Sequence, residues 1–281
     1  MLKVRFCTLK DGSDQEHAAI LVDKQWVTVT SINQVFDAYW PTTLFQLIDA
    51  GLSPLIYEQA CQVPDRVALG AVRIAPLYRR PRKIIGIGLN YLNHAEDLGA
   101  PHPTEPASFM KGDNTIIGYD DSIVLPKESN RVTAEAEIAV VIGRACHSVS
   151  EEAAVGYIAG YCLVIDMTAE DILLRNPRFL TKSKNFDSFF SFGPELVTPD
   201  EITDLMSLTV ATWKNGSLHR ENTVSNMAFN PFYLVSHFSH ISTLYPGDVI
   251  STGTPGATVI ESGDQVQCRV TGFRTLTNRA V

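Results

Sequence analysis

Thr133-Ala134-Glu135-Ala136-Glu137-Ile138-Ala139-Val140-Val141-Ile142-Gly143 reads as an apolar strand interrupted by two carboxylates. Side chains alternate faces along a strand, so Glu135 and Glu137 project from the same side. Two like charges a few ångströms apart repel, and in a partly dry site each must be protonated, paired or neutralised by a cation. One reading places the pair on the wet face of a half-exposed strand, where charged side chains ordinarily lie. The other binds a divalent metal. Downstream, Tyr161-Cys162-Leu163-Val164-Ile165-Asp166 is a second strand-like run that ends in a lone aspartate. A third carboxylate there completes a set of hard oxygen ligands. Such a set suits magnesium, manganese or calcium, whereas zinc favours nitrogen and sulfur.

Outward from these runs, strand-like segments recur at 123–125, 208–213, 248–251 and 265–270, with helical candidates at 169–175 and 229–239. Many strands with a few segregated helices predict an α+β, mainly β architecture in preference to an alternating parallel sheet. Before residue 83 the pattern differs. Two strand-like pieces, 3–7 and 18–29, flank the turn signal Asp11-Gly12-Ser13-Asp14, and short helices are expected between Thr42 and Cys61. A connector rich in proline and arginine runs from Pro64 to Arg82. The expected organisation is a small N-terminal domain over 1–75 and a larger domain over 76–281. Ile84–Gly88 reads as a strand and Asn90–Leu98 as a helix closed by Gly99. Gly86-x-Gly88 lacks the third glycine and acidic residue of a dinucleotide-binding turn.

A chain of 281 residues, 45% apolar, can build a substantial core. Its formal charge of −8 argues against nucleic acid and anionic membranes as partners, since both bind through clustered lysine and arginine. The one basic cluster, Arg79-Arg80-Pro81-Arg82-Lys83, reads as a linker. Five cysteines, scattered and without Cys-x-x-Cys spacing, suggest neither a disulfide framework nor a zinc site. No stretch approaches the roughly 18 apolar residues of a membrane span. A cytoplasmic protein is expected.

Other candidate residues are weaker singly. His94 stands three residues before Asp97 in the expected helix, where such positions share a face. A carboxylate on one imidazole nitrogen fixes the tautomer and raises the basicity of the other, as a general base requires, though a surface pair has the same spacing. Lys111 and Lys184 each sit among aromatic residues and turn formers. Ser251-Thr252-Gly253-Thr254-Pro255 offers hydroxyls and backbone donors at a strand end, and alone is a turn.

Taken in order, Gly88-Leu89-Asn90-Tyr91 with His94, Phe109-Met110-Lys111, Glu135-Ala136-Glu137 with its apolar tail, Asp166, Lys184-Asn185-Phe186-Asp187 and Gly247 to Pro255 resemble the signature of the fumarylacetoacetate hydrolase family. The resemblance runs from about residue 80 to the end. It implies a mixed β-sandwich roll as core, a homodimer, and a divalent metal, commonly magnesium, on Glu135, Glu137 and Asp166. It further implies that His94 with Asp97 activates water and that Lys184 polarises the substrate. Lys111, Tyr91, Thr252 and Thr254 would lie around a small diketo or oxo-acid substrate. The implied reaction is hydrolysis of a carbon–carbon bond in a 1,3-dicarbonyl compound through a metal-stabilised enolate. Enol–keto tautomerisation or decarboxylation of a 2-oxo acid is the alternative on the same site, and a silent metal- or oxo-acid-binding module the alternative from another class. Three positions depart from the family pattern: Asp97 stands for glutamate, Glu170 for arginine and Leu173 for glutamine. The arginine exchange replaces attraction for a substrate carboxylate by repulsion.

Overall fold

Val132–Ile142 and Ile158–Ala169 pair antiparallel over their whole length and form the spine of the molecule. The structure is a computed structural model, and it describes residues 2–68, 72–92 and 104–281. Strict alternation gives the spine two unlike faces. On one, Ala134, Ala136, Ile138 and Val140 with Leu163, Ile165 and Met167 enter a core shared with Val210, Val266 and Leu276. Those last residues belong to a second, five-stranded sheet of Ser217–Thr223, Thr209–Lys214, Gln265–Val270, Leu276–Ala280 and Ser122–Ile123. On the other face, Ala139, Val141, Cys162 and Val164 enter a second core with N-terminal residues such as Phe6, Ile20 and Ile48. Glu135, Glu137, Asp166 and Thr168 lie on this face too, beyond the reach of that core.

The N-terminal chain is tied into the same sheet. Arg5–Lys10 pairs with Glu16–Val22 on one side and Phe190–Val197 on the other, and Phe190–Val197 pairs with the spine. With Val249–Ser251, Ile84–Gly88 and Ala107–Met110 on the far side of the spine, thirteen strands of the described residues form one sheet. Helices Val29–Phe36, Leu44–Ala50 and Pro54–Gln62 cover its N-terminal part, each begun by a side chain, Thr28, Thr43 or Ser53, that accepts a first-turn amide. The mainly-β, α+β architecture expected from the sequence is what the chain adopts.

Several elements differ in detail. The piece 18–29 is split by Asp23-Lys24, both at positive φ, the geometry of a tight hairpin turn, and a helix follows at Val29–Phe36. Phe190–Val197 is a central strand despite Gly193-Pro194, which masks it in the sequence. Proline donates no ladder bond, and the register with Ile158–Ala169 shifts between Tyr161 and Leu163, the latter opposite Gly193. The expected helix from Asn90 to Leu98, with His94 and Asp97, lies largely outside the described residues.

Candidate metal centre and its pocket

One carboxylate oxygen from each of Glu135, Glu137 and Asp166 lies within 4.8 Å of the others. Strand alternation puts the two glutamates on one face, and the hairpin register sets Asp166 directly opposite Glu135. Two of the three are buried, Glu137 at 2% and Asp166 at 1% exposed, and Glu135 is partly open. Glu137 Oε2 accepts from Ser251 Oγ at 2.6 Å and from the Gly253 amide at 2.8 Å. Both bonds fall on one oxygen, which orients the carboxylate. Burial first, then repulsion from Asp166 and Glu135, pushes its pKa up to about 8.

Two lysines answer the cluster. Lys184 Nζ donates to Glu135 Oε2 at 2.7 Å and to Asp166 Oδ2 at 2.6 Å, and lies over the Phe109 ring. Burial disfavours its ammonium, but attraction to Asp166 and Glu135 outweighs that and holds its pKa above the ordinary lysine value. Lys111 Nζ donates to Asp166 Oδ1 at 2.6 Å and to the Lys184 carbonyl. Burial lowers its pKa, and the attraction of its one carboxylate partner does not fully offset this. Lys184 closes the short helix Leu180–Lys184, and Lys111 follows the strand Ala107–Met110.

With Glu137 ionised, as a metal ligand must be, three carboxylates against two ammoniums leave one net negative charge. The donor set is all oxygen, and a dication bound there would turn the balance positive, ready for an anionic ligand. The residues therefore fit a hard divalent cation.

Glu135 and Glu137 open onto a cavity of about 670 Å³ that Lys184 and Thr254 also line. Thr254 Oγ1 is held by Gly256, donating to its carbonyl and accepting from its amide, both at 3.2 Å. Lys111 and Thr252 are buried behind the wall, and the Thr252 hydroxyl donates to the Ile138 carbonyl at 2.7 Å. Tyr91 is wholly buried in the core, within electrostatic range of Glu137, and its hydroxyl has no hydrogen-bond partner among the described residues. His94 and Asp97 lie outside the described residues.

Sequence reasoning singled out no role for Ser251 and Gly253, which hold Glu137, or for Arg131, His219 and Arg220, which line the cavity. The first two are legible only as a hydroxyl and a backbone donor at a strand end, and their partner is not, because the fold brings them to Glu137 across more than a hundred residues of chain. His219 and Arg220 had a signal. Asn215-Gly216, both at positive φ, marks a tight hairpin turn and hence the strand Ser217–Thr223 that carries them.

A family profile described as "Fumarylacetoacetate (FAA) hydrolase C-terminal" matches residues 83–281, which span the whole of this site. The chain belongs to the fumarylacetoacetate hydrolase family. Among relatives, an uncharacterized protein of Archaeoglobus fulgidus is 43% identical over 216 residues, 76% of this chain and 84% of that protein. The mitochondrial oxaloacetate tautomerase Fahd2a of Rattus norvegicus is 34% identical over 257 residues, 88% of this chain and 82% of the relative. The maleylpyruvate hydrolase of Sphingobium sp. SYK-6, solved in complex with manganese (II) ion and pyruvate, is 26% identical with a TM-score of 0.82, covering 99% of this chain and 98% of the other. The family thus includes both a tautomerase and a hydrolase, and the Glu135, Glu137 and Asp166 cluster here offers the oxygen ligands that a divalent cation would take. No helix among the described residues is long and apolar enough to cross a membrane.

Proposed function

We propose that the chain is a divalent-metal-dependent hydrolase that cleaves a carbon–carbon bond in an acylpyruvate-like 1,3-dicarbonyl compound. The observation that carries this reading is the Glu135, Glu137 and Asp166 cluster, bridged by Lys184, at the floor of a large cavity. When bound, magnesium or a similar dication supplies a Lewis acid for the two oxygens of such a substrate. Glu135, Glu137 and Asp166 hold it, and Ser251 and the Gly253 amide fix the Glu137 carboxylate. Lys184 remains an ammonium and offsets negative charge developing on the substrate oxygens. Lys111 balances Asp166 from beneath. Phe109 and Leu180 line the cavity and exclude water from the reacting atoms. His94, oriented by Asp97, takes the proton of the attacking water. Thr254 faces the substrate, with Lys111, Thr252 and Tyr91 in support. The working form in this reading is a cytoplasmic homodimer, a state that light scattering on the purified protein measures.

A second reading, enol–keto tautomerisation of a 2-oxo acid such as oxaloacetate, is favoured by the 34% identity to the rat tautomerase over most of both chains. It uses the same metal and lysines and no attacking water. Metal-stripped protein is expected to be inert toward 2,4-dioxo acids, and added manganese or magnesium to restore release of pyruvate. Full turnover without metal would sink both readings. Product and variant together decide between them: a hydrolase releases pyruvate and loses that release in His94→Ala, whereas a tautomerase interconverts the enol and keto forms of oxaloacetate, releases no pyruvate and keeps near-normal turnover in His94→Ala.

A further inference from the structure

The hairpin that carries the metal ligands continues past them. Along the face that floors the cavity, cross-strand pairs step outward: Glu135 opposite Asp166, then Thr133 opposite Thr168. Beyond these, Arg131 stands beside Glu170, whose amide donates to the Arg131 carbonyl at 2.9 Å. Each step of two residues advances about 7 Å, so the last pair lies roughly 13 Å from the first. Arg131, Thr133, Thr168 and Glu170 line the same cavity as Glu135.

Charge is sorted along this floor. At the metal end a bound dication would tip the balance of three carboxylates and two lysines positive, and the Arg220 chain packs against Gly256, next to the Ala257 that pairs with Glu135. At the far end Arg131 Nε is in an ion pair with the Glu170 carboxylate, so this rung presents a matched pair. Between the ends, apart from the hydroxyls of Thr133 and Thr168, the described lining includes an apolar stretch. Leu173 and Leu180 stand over the floor with Pro177. Leu180 lies one turn before Lys184 on its helix, so the two share a face with their Cβ atoms about 5–6 Å apart.

We infer that the substrate keeps its negative charge at the metal end and lays an uncharged, apolar tail along this floor, with no carboxylate opposite Arg131 and Glu170. The inference rests on the 2-oxo-acid reading above and adds the tail. A carboxylate-ended tail would meet the Glu170 carboxylate, which already holds the half-exposed Arg131, or lie without a cation against leucine, and like-charge juxtaposition disfavours it there. Glu170 and Leu173 are thus specificity-determining residues.

Two 2,4-dioxo acids of equal length, one ending in methyl and one in carboxylate, test this with the manganese-loaded protein. The methyl-ended acid is expected to have at least a tenfold higher kcat/KM. Glu170→Gln uncovers Arg131 and should raise kcat/KM for the carboxylate-ended acid relative to the methyl-ended acid roughly tenfold. Tail recognition is read separately from the rise in Tm with straight-chain 2-oxo acids, one methyl-ended and one carboxylate-ended. A larger rise with the methyl-ended acid, even if neither dioxo acid is cleaved, upholds the tail and removes only the hydrolytic reading. Preference of the unaltered protein for the carboxylate-ended compounds, or a discrimination that Glu170→Gln does not change, overturns the inference.

Discussion

Glu137 shows how much of the site is set by one side chain's surroundings. Its carboxyl is pushed from an ordinary value of 4.5 up to about 8, by burial first and then by Asp166 and Glu135. In metal-free protein the folded state holds this proton more tightly than the unfolded chain. The stabilisation is complete below about pH 4.5 and is lost as pH rises through about 8. Thermal melts in chelator should therefore show Tm falling over that window, with a shallower fall for Glu137→Gln. Identical slopes for the two proteins would remove Glu137 as the source. Because a ligand carboxylate must shed its proton, manganese affinity should rise with pH up to about 8, as calorimetry in buffers of different ionisation heat would read.

At the scale of an element, the turn after Val249–Ser251 does as much as the strand before it. Gly253 has φ +96°, and a Cβ added there would stand 2.9 Å from Asn90 Cβ and 3.1 Å from the Ile87 carbonyl. Gly253→Ala is expected to cost about 1–3 kcal/mol of stability. By displacing the amide bonded to Glu137, it should also weaken manganese binding by roughly 10- to 100-fold, the range for groups that orient ligands. Gly263 is the comparison, with φ +94° and nothing within 4 Å of an added Cβ. Gly263→Ala should lose stability through backbone strain and keep its metal affinity. Equal metal affinities in the two variants would show that the Gly253 amide does not position Glu137.

For the whole molecule, we propose a division of labour at the boundary 75/76. Every candidate site residue falls in 76–281, while 1–75 covers the apolar half of the spine. Phe190, Phe192, Leu196, Cys162 and Val164 share one core with Phe6, Ile20 and Ile48. Arg5 binds Glu195 at 2.9 Å, and Thr198 Oγ1 accepts from the Val4 amide at 2.9 Å. Removal of residues 1–75 should therefore leave a chain without a cooperative melt that binds hydrophobic dye. A truncated protein that melts sharply and binds manganese as the full chain does would show that 76–281 stands alone.

The sequence by itself determined the family and the mainly-β architecture, and it singled out the acidic cluster as the candidate metal site. Those are local facts: alternation puts Glu135 and Glu137 on one face, and an all-oxygen set selects a hard cation. It also flagged Glu170 and Leu173 as departures from the family pattern. The chain could not reveal the strand Phe190–Val197, because Gly193 and Pro194 hide a segment whose stability comes from neighbours far away in sequence. Nor could it reveal that Ser251 and Gly253 hold Glu137, or that Arg131 matches Glu170 along the cavity floor. Which face of the spine is core and which is cavity was decided only by tertiary structure. The N-terminal layer buries one half of that face and stops short of the carboxylates, and burial is a property of what packs against a strand.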